Sequence, residues 1–315
     1  MENIKLHNYN EERFETAIAL GNFDGVHIGH KKLILDMTKV AKELNLVPSI
    51  LLFNIHSKFI TRGKSPSCLT SKSQKEQLVK NLGVEIIYSI DFDENLMKLQ
   101  ADEFVKNILV EKLNTKLVVV GFDYKFGYKA SGNVETLKEL GKKYGFRVIV
   151  IDPVYVNDII VSSTKIREFI LSGRLDIANA MLDRNYQVIG KVIDGNKVGR
   201  KLGYPTANLE LIDDFTLPKN GVYRTKTIID EKTYLSASSV GYNPTFENNK
   251  IKIESHIIDF NEEIYDKILY LEFIEYLRGE IKFEKLDDLI DQIDNDIRIV
   301  LSRHWYLHLA RSMII

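Results

Sequence analysis

The stretch ALGNFDGVHIGHKKLI, residues 19–34, runs from a predicted strand through Gly21 and Gly25 into a predicted helix. That order marks the place where open α/β sheets bind ligands, just beyond the carboxyl ends of their strands. Glycines let the backbone approach a phosphate closely, and a helix N-terminus favours an anion. His27 and His30 stand three apart with Gly29 between them, so both imidazoles can point at one spot over the first turn. Paired donors there could stabilise charge developing on a phosphoryl oxygen. The same two histidines are also compatible with a plain surface position or with a metal pair.

Outward from this stretch, up to about residue 180, short apolar runs alternate with segments of helical period. The runs are AIAL from Ala17, ILLF from Ile50, EIIYSI from Glu85, KLVVVGF from Lys116 and FRVIVID from Phe146. Their alternation predicts a parallel sheet covered by helices. After His30, the residues Leu33, Met37, Val40, Ala41 and Leu44 line one helix face, which assigns Met37 to the core. From about Tyr186 the pattern becomes YQVIGKVID, GVYRTKTIID, KTYLSASSVG, KIKIESHIIDF and KILYLEFIEYL, separated by turn residues and without intervening helices. This predicts a small antiparallel barrel. A last helix is expected from near Lys285, with Leu286, Leu289, Ile290, Ile293 and Ile297 as its apolar stripe and its acidic residues facing water. The expected division is 1–183 and 184–315.

Length and composition agree with two soluble domains: 315 residues exceed what one core usually fills, and 44% hydrophobic with 28% charged residues is ordinary for a globular chain. The formal net charge of −1 leaves no excess of positive charge to neutralise a nucleic acid backbone. The N-terminus lacks the pattern of a signal peptide and no apolar run is long enough to span a bilayer, so a cytoplasmic protein without nucleic acid or membrane partners is expected. Cys68 is the only cysteine, which excludes an intrachain disulfide and a thiolate cluster.

Three further segments carry candidate chemistry. VSSTKIREFILSG, residues 161–173, begins with hydroxyls and becomes helical, with Ile166, Phe169 and Ile170 on one face. Ser163, Thr164, Lys165 and Arg167 at such a helix start make a phosphate cradle, and a capped surface helix reads the segment equally well. VVVGFDYKFGYKASGN, residues 118–133, is a strand leading into a glycine-containing loop with aromatics. GKVIDGNKVGRKLGYPTANLEL, residues 190–211, has glycines at 190, 195, 199 and 203, followed by Pro205, Thr206 and Asn208. Glycines there can simply turn corners, whereas Thr and Asn oxygens are hard ligands that suit magnesium. The segment matches neither the P-loop nor the glycine loop of protein kinases.

Taken together, GNFDGVHIGH resembles the HxGH signature of the adenylyl-transferring superfamily, and VSSTKIR resembles the SSTxIR motif of prokaryotic FAD synthetases. GRKLGYPTANL resembles the PTAN signature of riboflavin kinases, and GVYRTK, VGYNPTF, IESHIIDF and FIEYLRGEIKF follow in that family's order. The chain is therefore identified as similar to the prokaryotic bifunctional riboflavin kinase/FMN adenylyltransferase family, from roughly Ala19 to the final helix. The resemblance implies a Rossmann-like nucleotidyltransferase domain followed by a kinase barrel. It implies ATP at Gly21, Asn22, Phe23, Asp24 and Gly25, charge stabilisation by His27 and His30, and phosphate binding by Ser163, Thr164 and Arg167. It implies a flavin and ATP wall containing Asp123, Phe126 and Gly127. In the second half it implies nucleotide or flavin contacts at Gly190, Gly195, Gly199, Arg200, Gly203, Pro205 and Arg278. Magnesium falls to Thr206 and Asn208, and Glu254 becomes the base that takes the ribityl hydroxyl proton. Strand alternation alone explains Glu254 as a solvent-facing carboxylate.

Departures from the family pattern are Ala130 in place of a basic residue, missing prolines around His56, Ser239 in place of asparagine and Asp266 in place of glycine. The first two bear on flavin affinity. The resulting expectation is phosphorylation of riboflavin to FMN and adenylylation of FMN to FAD with release of pyrophosphate, both from ATP, by a monomer or weak homo-oligomer. A protein with one activity, a flavin sensor without turnover, and an adenylyltransferase for another phosphate ester are the competing expectations.

Overall fold

The computed structural model describes residues 1–6, 14–53, 66–195, 198–242 and 251–312. His56 and most of the VGYNPTF segment lie outside these residues. The chain divides into two compact units, Met1–Ser163 and Thr164–Ile315.

The first unit is built on six strands: β1 (Glu2–Lys5), β2 (Thr16–Leu20), β3 (Val47–Phe53), β4 (Ile86–Ile90), β5 (Thr115–Gly121) and β6 (Arg147–Ile151). They lie in the order β1-β4-β3-β2-β5-β6, and every pairing is parallel. A parallel sheet is covered on both faces, which is why its strands read as continuous apolar runs. In β2, Ala17 and Ala19 join the cluster of Leu33, Ile34, Met37 and Ala41 from the helix Ile28–Glu43. Ile18 and Leu20 face the other way, against Phe104, Val105, Ile108 and Leu109. Met37 is fully buried, as its place on the apolar helix face requires.

The order reverses at β2. Its helical crossover leads to β3 on one side, while β5 arrives on the other, which makes the carboxyl end of β2 the switch point where sheets of this kind bind ligands. Residues 21–27 leave β2 at that point. β1 is absent from the sequence reading because ENIK is a polar edge strand with one half-buried residue, paired from Glu2↔Ile86 to Lys5↔Ser89. A short hairpin, β7 (Tyr155–Val156) and β8 (Ile159–Ile160), ends the unit.

The second unit carries the helices Leu175–Leu182 and Leu286–Ser312 and a closed antiparallel barrel. Its strands are β9 (Tyr186–Ile193), β10 (Ala207–Leu211), β11 (Gly221–Ile229), β12 (Lys232–Tyr242), β13 (Ile251–Ile257) and β14 (Ile268–Arg278). Their order is β10-β13-β12-β11-β14-β9, and β9 closes on β10. Beside apolar residues, the buried side of the wall carries Thr225, Thr227, Ser236, Ser238 and Ser255, all without solvent exposure. Their hydroxyls bond one another at 2.7 to 3.2 Å, which removes the penalty of burying them.

One expectation needs correcting. The acidic residues of the last helix do not all face water: Asp296 is buried and receives a forked bond from Arg278, Nε to Oδ1 at 3.0 Å and Nη2 to Oδ2 at 2.7 Å. A carboxylate so held costs little to bury, because its charge is matched in the fork geometry of a guanidinium.

Candidate active sites

At the end of β2 the loop turns sharply, with positive φ at Phe23 (49°), Gly25 (82°) and Val26 (37°). Such backbone is held only where surrounding bonds over-determine it. Here the Asp24 carboxylate is buried and accepts from Leu69 N at 3.0 Å and Thr70 N at 3.2 Å, while Gly25 N donates to Thr70 Oγ1 at 3.1 Å. The Ser163 hydroxyl donates to the Asp24 carbonyl oxygen at 2.8 Å. Asp24 thus holds the loop rather than opening toward a ligand. The segment that receives it leads into the helix Lys72–Asn81, whose Ser71 and Gln74 form a capping box.

His27 is the N-cap of the helix Ile28–Glu43, and its Nδ1 accepts from His30 N at 3.3 Å. A ring nitrogen that accepts carries no proton, so in the neutral ring the proton sits on Nε2 and that N–H is a donor. The two imidazoles stack with centroids 3.6 Å apart and planes 16° from parallel, and Phe23 packs on His30 at 5.2 Å. Gly29 makes this possible, because a Cβ there would lie 3.2 Å from His27 Nδ1. Burial, then His27, then Lys75 hold the titration of His30 well below its usual value of 6.5. His30 Nδ1 is buried and has no hydrogen-bond partner among the described residues. Buried polar atoms are nearly always paired, so a ring nitrogen left so has capacity for one more hydrogen bond. Among the described residues no group of three or more His, Cys, Asp or Glu converges on one point.

Other sequence-selected residues of this half have different positions. Asp123 is exposed just beyond β5. Phe126 is in the core, its ring 5.8 Å from Phe104 and 5.7 Å from Tyr124. Gly127, at φ 74°, approaches the Ala101 backbone so closely that a Cβ would come within 2.9 Å. Thr164 is exposed and Arg167 half-buried on the helix Ser163–Leu171, which buries Ile166 and Ile170.

In the second unit, β10 pairs Asn208 directly with Glu254 of β13. Directly paired residues share a face, and Thr206 is exposed immediately before the strand. Asn208 is buried, and its Oδ1 has no partner among the described residues. Gly195 leaves room for it, since a Cβ there would overlap the Asn208 amide. Glu254 is one-third exposed and ion-pairs with Lys252. Tyr204 donates to Asp294 Oδ1 at 2.6 Å, and His256 Nδ1 lies 2.9 Å from the Pro205 carbonyl, which can only accept. The turn before Thr206 is therefore fixed from both ends. These partners escaped the sequence reading, as their positions are 90 and 51 residues from the turn.

The remaining selected residues separate into turn and wall. Gly199 passes so near the Tyr204 carbonyl that a Cβ would overlap it, and Gly203 adopts φ 91°. Arg200 makes an exposed ion pair with Glu263 at 3.6 Å. Gly190 belongs to the barrel wall, where a Cβ would come 3.0 Å from the Glu210 carbonyl. Arg278 spends its donors on Asp296 and the Gly279 carbonyl.

The FAD synthetase family profile matches residues 9–165, and the riboflavin kinase profile matches residues 182–303. A bifunctional riboflavin kinase/FMN adenylyltransferase from Buchnera aphidicola is 37% identical over 94% of this chain and 96% of its own length. The protein of that name from Listeria monocytogenes is 36% identical over 89% of this chain and 90% of its own. This chain belongs to the bifunctional riboflavin kinase/FMN adenylyltransferase family.

A crystal structure from Streptococcus pneumoniae, described as a macrolide-efflux protein, superposes with a TM-score of 0.88 at 32% identity over 95% of this chain and 98% of that one. Among the described residues, no helix is long and apolar enough to cross a membrane. Two departures from the bifunctional family's pattern now have a physical reading. Asp266, in place of glycine, adopts φ 63°, a left-handed conformation that glycine takes freely and Asp tolerates. Lys191 bonds its carboxylate at 2.7 Å. Ser239 pairs directly with Glu254 across β12 and β13, beside the carboxylate but not in place of it. Ala130 is exposed, at φ 57°, in the loop after β5.

Proposed function

We propose that the chain makes both flavin cofactors, phosphorylating riboflavin in its second half and adenylylating FMN in its first. What carries the reading is the match of both family profiles to successive segments of one chain.

For adenylyl transfer, an FMN phosphate oxygen attacks the α-phosphorus of ATP, the bond to the β-phosphate oxygen breaks, and pyrophosphate leaves. Negative charge grows on the α-phosphoryl and leaving oxygens. His27 Nε2–H and the His30 ring meet that charge as fixed hydrogen-bond donors over the helix N-terminus, which needs no solvent reorganisation. Ser163, Thr164 and Arg167 hold the departing phosphates, and Asp123 and Gly127 border the nucleotide and flavin. No covalent enzyme intermediate is required.

For phosphoryl transfer, the ribityl 5′-hydroxyl attacks the γ-phosphorus, ADP leaves, and Glu254 accepts the hydroxyl proton. The Asn208 oxygen, without a partner among the described residues, and the exposed Thr206 would suit a hard cation such as magnesium. Magnesium bound there supplies charge neutralisation to the nucleotide phosphates. The turn Gly199–Pro205, tied by Tyr204 and His256, shapes the nucleotide side. The net charge of −1 supports small molecules over nucleic acid as partners, and the need for ATP supports the cytoplasm as the compartment.

The test is a chromatographic time course of the purified protein with riboflavin, ATP and magnesium. FMN is expected first and FAD after it. Accumulation of FMN without FAD would reduce the assignment to the kinase alone, and no change in riboflavin would favour a flavin sensor.

A further inference from the structure

Lys75 reaches the N-terminal site from outside the HxGH string. Its Nζ donates to the Asn22 carbonyl oxygen at 3.1 Å, although the two residues are 53 apart in sequence. The ammonium also lies near enough to His30 to oppose protonation of that imidazole. The helix that delivers it is fixed at its base. Ser71 Oγ accepts from Gln74 N at 3.2 Å and Ser71 N donates to Gln74 Oε1 at 2.8 Å, closing the cap. The residues just before the cap, Leu69 and Thr70, are held by the Asp24 carboxylate. One turn separates Ser71 from Lys75, so one clamp fixes both the loop and the lysine that touches it.

The chemistry of the site needs such a group. A neutral His30 brings a hydrogen bond but no charge, whereas both substrates of an adenylyl transfer are phosphate anions. A lysine ammonium is a compact, permanent point charge on a flexible stem, able to leave a carbonyl for a better acceptor.

We propose that Lys75 is a phosphate-binding catalytic residue of this site, its ammonium passing from the Asn22 carbonyl to phosphoryl oxygens of the nucleotide or of the flavin phosphate. The inference deepens the adenylyltransferase reading and rests on it for the reaction.

The full chain is compared with Lys75→Met, which keeps the stem and removes the charge, and with Lys75→Arg. Each protein is assayed for FMN to FAD and for riboflavin to FMN, and calorimetric titrations with inorganic pyrophosphate and with FMN are run without turnover. Lys75→Met is expected to lower kcat/KM for FAD formation about 10- to 100-fold, the size of one lost charge-assisted hydrogen bond. The kinase rate should be unchanged, and Lys75→Arg should recover most of the loss. Weaker pyrophosphate binding with a raised KM for ATP assigns the contact to the nucleotide; weaker FMN binding with a raised KM for FMN assigns it to the flavin phosphate. Unchanged FAD formation, or an equal loss of both activities with a lowered Tm, overturns the proposal. If the wild type makes no FAD, the adenylyltransferase reading fails by itself, and the titrations still decide whether Lys75 binds a phosphate.

Discussion

His30 is kept uncharged chiefly by burial, and this has a consequence for stability. Its folded-state pKa lies below the unfolded value of 6.5, so on acidification the unfolded chain takes up the proton first. Stability then falls with falling pH from just above the unfolded value down through the depressed folded one, and His30 contributes no pH dependence above that window. Denaturant midpoints between pH 8 and 5 should therefore fall more steeply for the wild type than for His30→Gln, whose ring proton site is gone; parallel curves would refute the burial argument. In the other half, Gly195→Ala sets a methyl group against the Asn208 amide. It should lower the riboflavin kinase rate on the order of 100-fold, as a displacement of about 1 Å in a positioned group does. FAD formation from added FMN should be unaffected, and assays of the two half-reactions separate these outcomes. At this scale the sequence singles out the histidine pair and Asn208 as candidates, because they lie inside short local motifs. Phe126 is a harder case: the family resemblance implies a ligand wall, the residues alone read as aromatic packing in a long connection, and the ring does pack on Phe104 and Tyr124.

Elements are joined here by a few buried carboxylates. Asp24→Ala would strand the Leu69 and Thr70 amides, a loss of about 2–4 kcal/mol for two buried donors. Chemical denaturation should show that loss, with riboflavin kinase activity retained. Asp296→Ala would leave the half-buried Arg278 guanidinium uncompensated between β14 and the last helix, costing about 3 kcal/mol. A midpoint unchanged by that substitution would show the pair to be incidental. Neither carboxylate announces itself in sequence. Asp24 sits in a motif that invites a nucleotide role, and Asp296 sits in an acidic run that invites solvent. Their partners are 45 and 18 residues away, beyond any helical or strand period. β2 to β6 were legible because two covered faces force continuous apolar runs. β1 and β10 were not: one is a polar edge, and the other has five residues directly behind the Pro205 turn.

Across the whole chain, two architectures with different periodicities follow one another, and each has its own candidate site, the His27 and His30 pair in the first and Asn208 with Glu254 in the second. Two chemically separate sites predict that the reactions can be severed and then recombined. The decisive measurement follows riboflavin, FMN and FAD by chromatography for His30→Ala alone, Glu254→Ala alone and an equal mixture, each with ATP and magnesium. The account predicts that His30→Ala stops at FMN, that Glu254→Ala makes FAD only when given FMN, and that the mixture carries riboflavin through to FAD. A Glu254→Ala protein that also fails to convert FMN, or a mixture that yields no FAD, would contradict it.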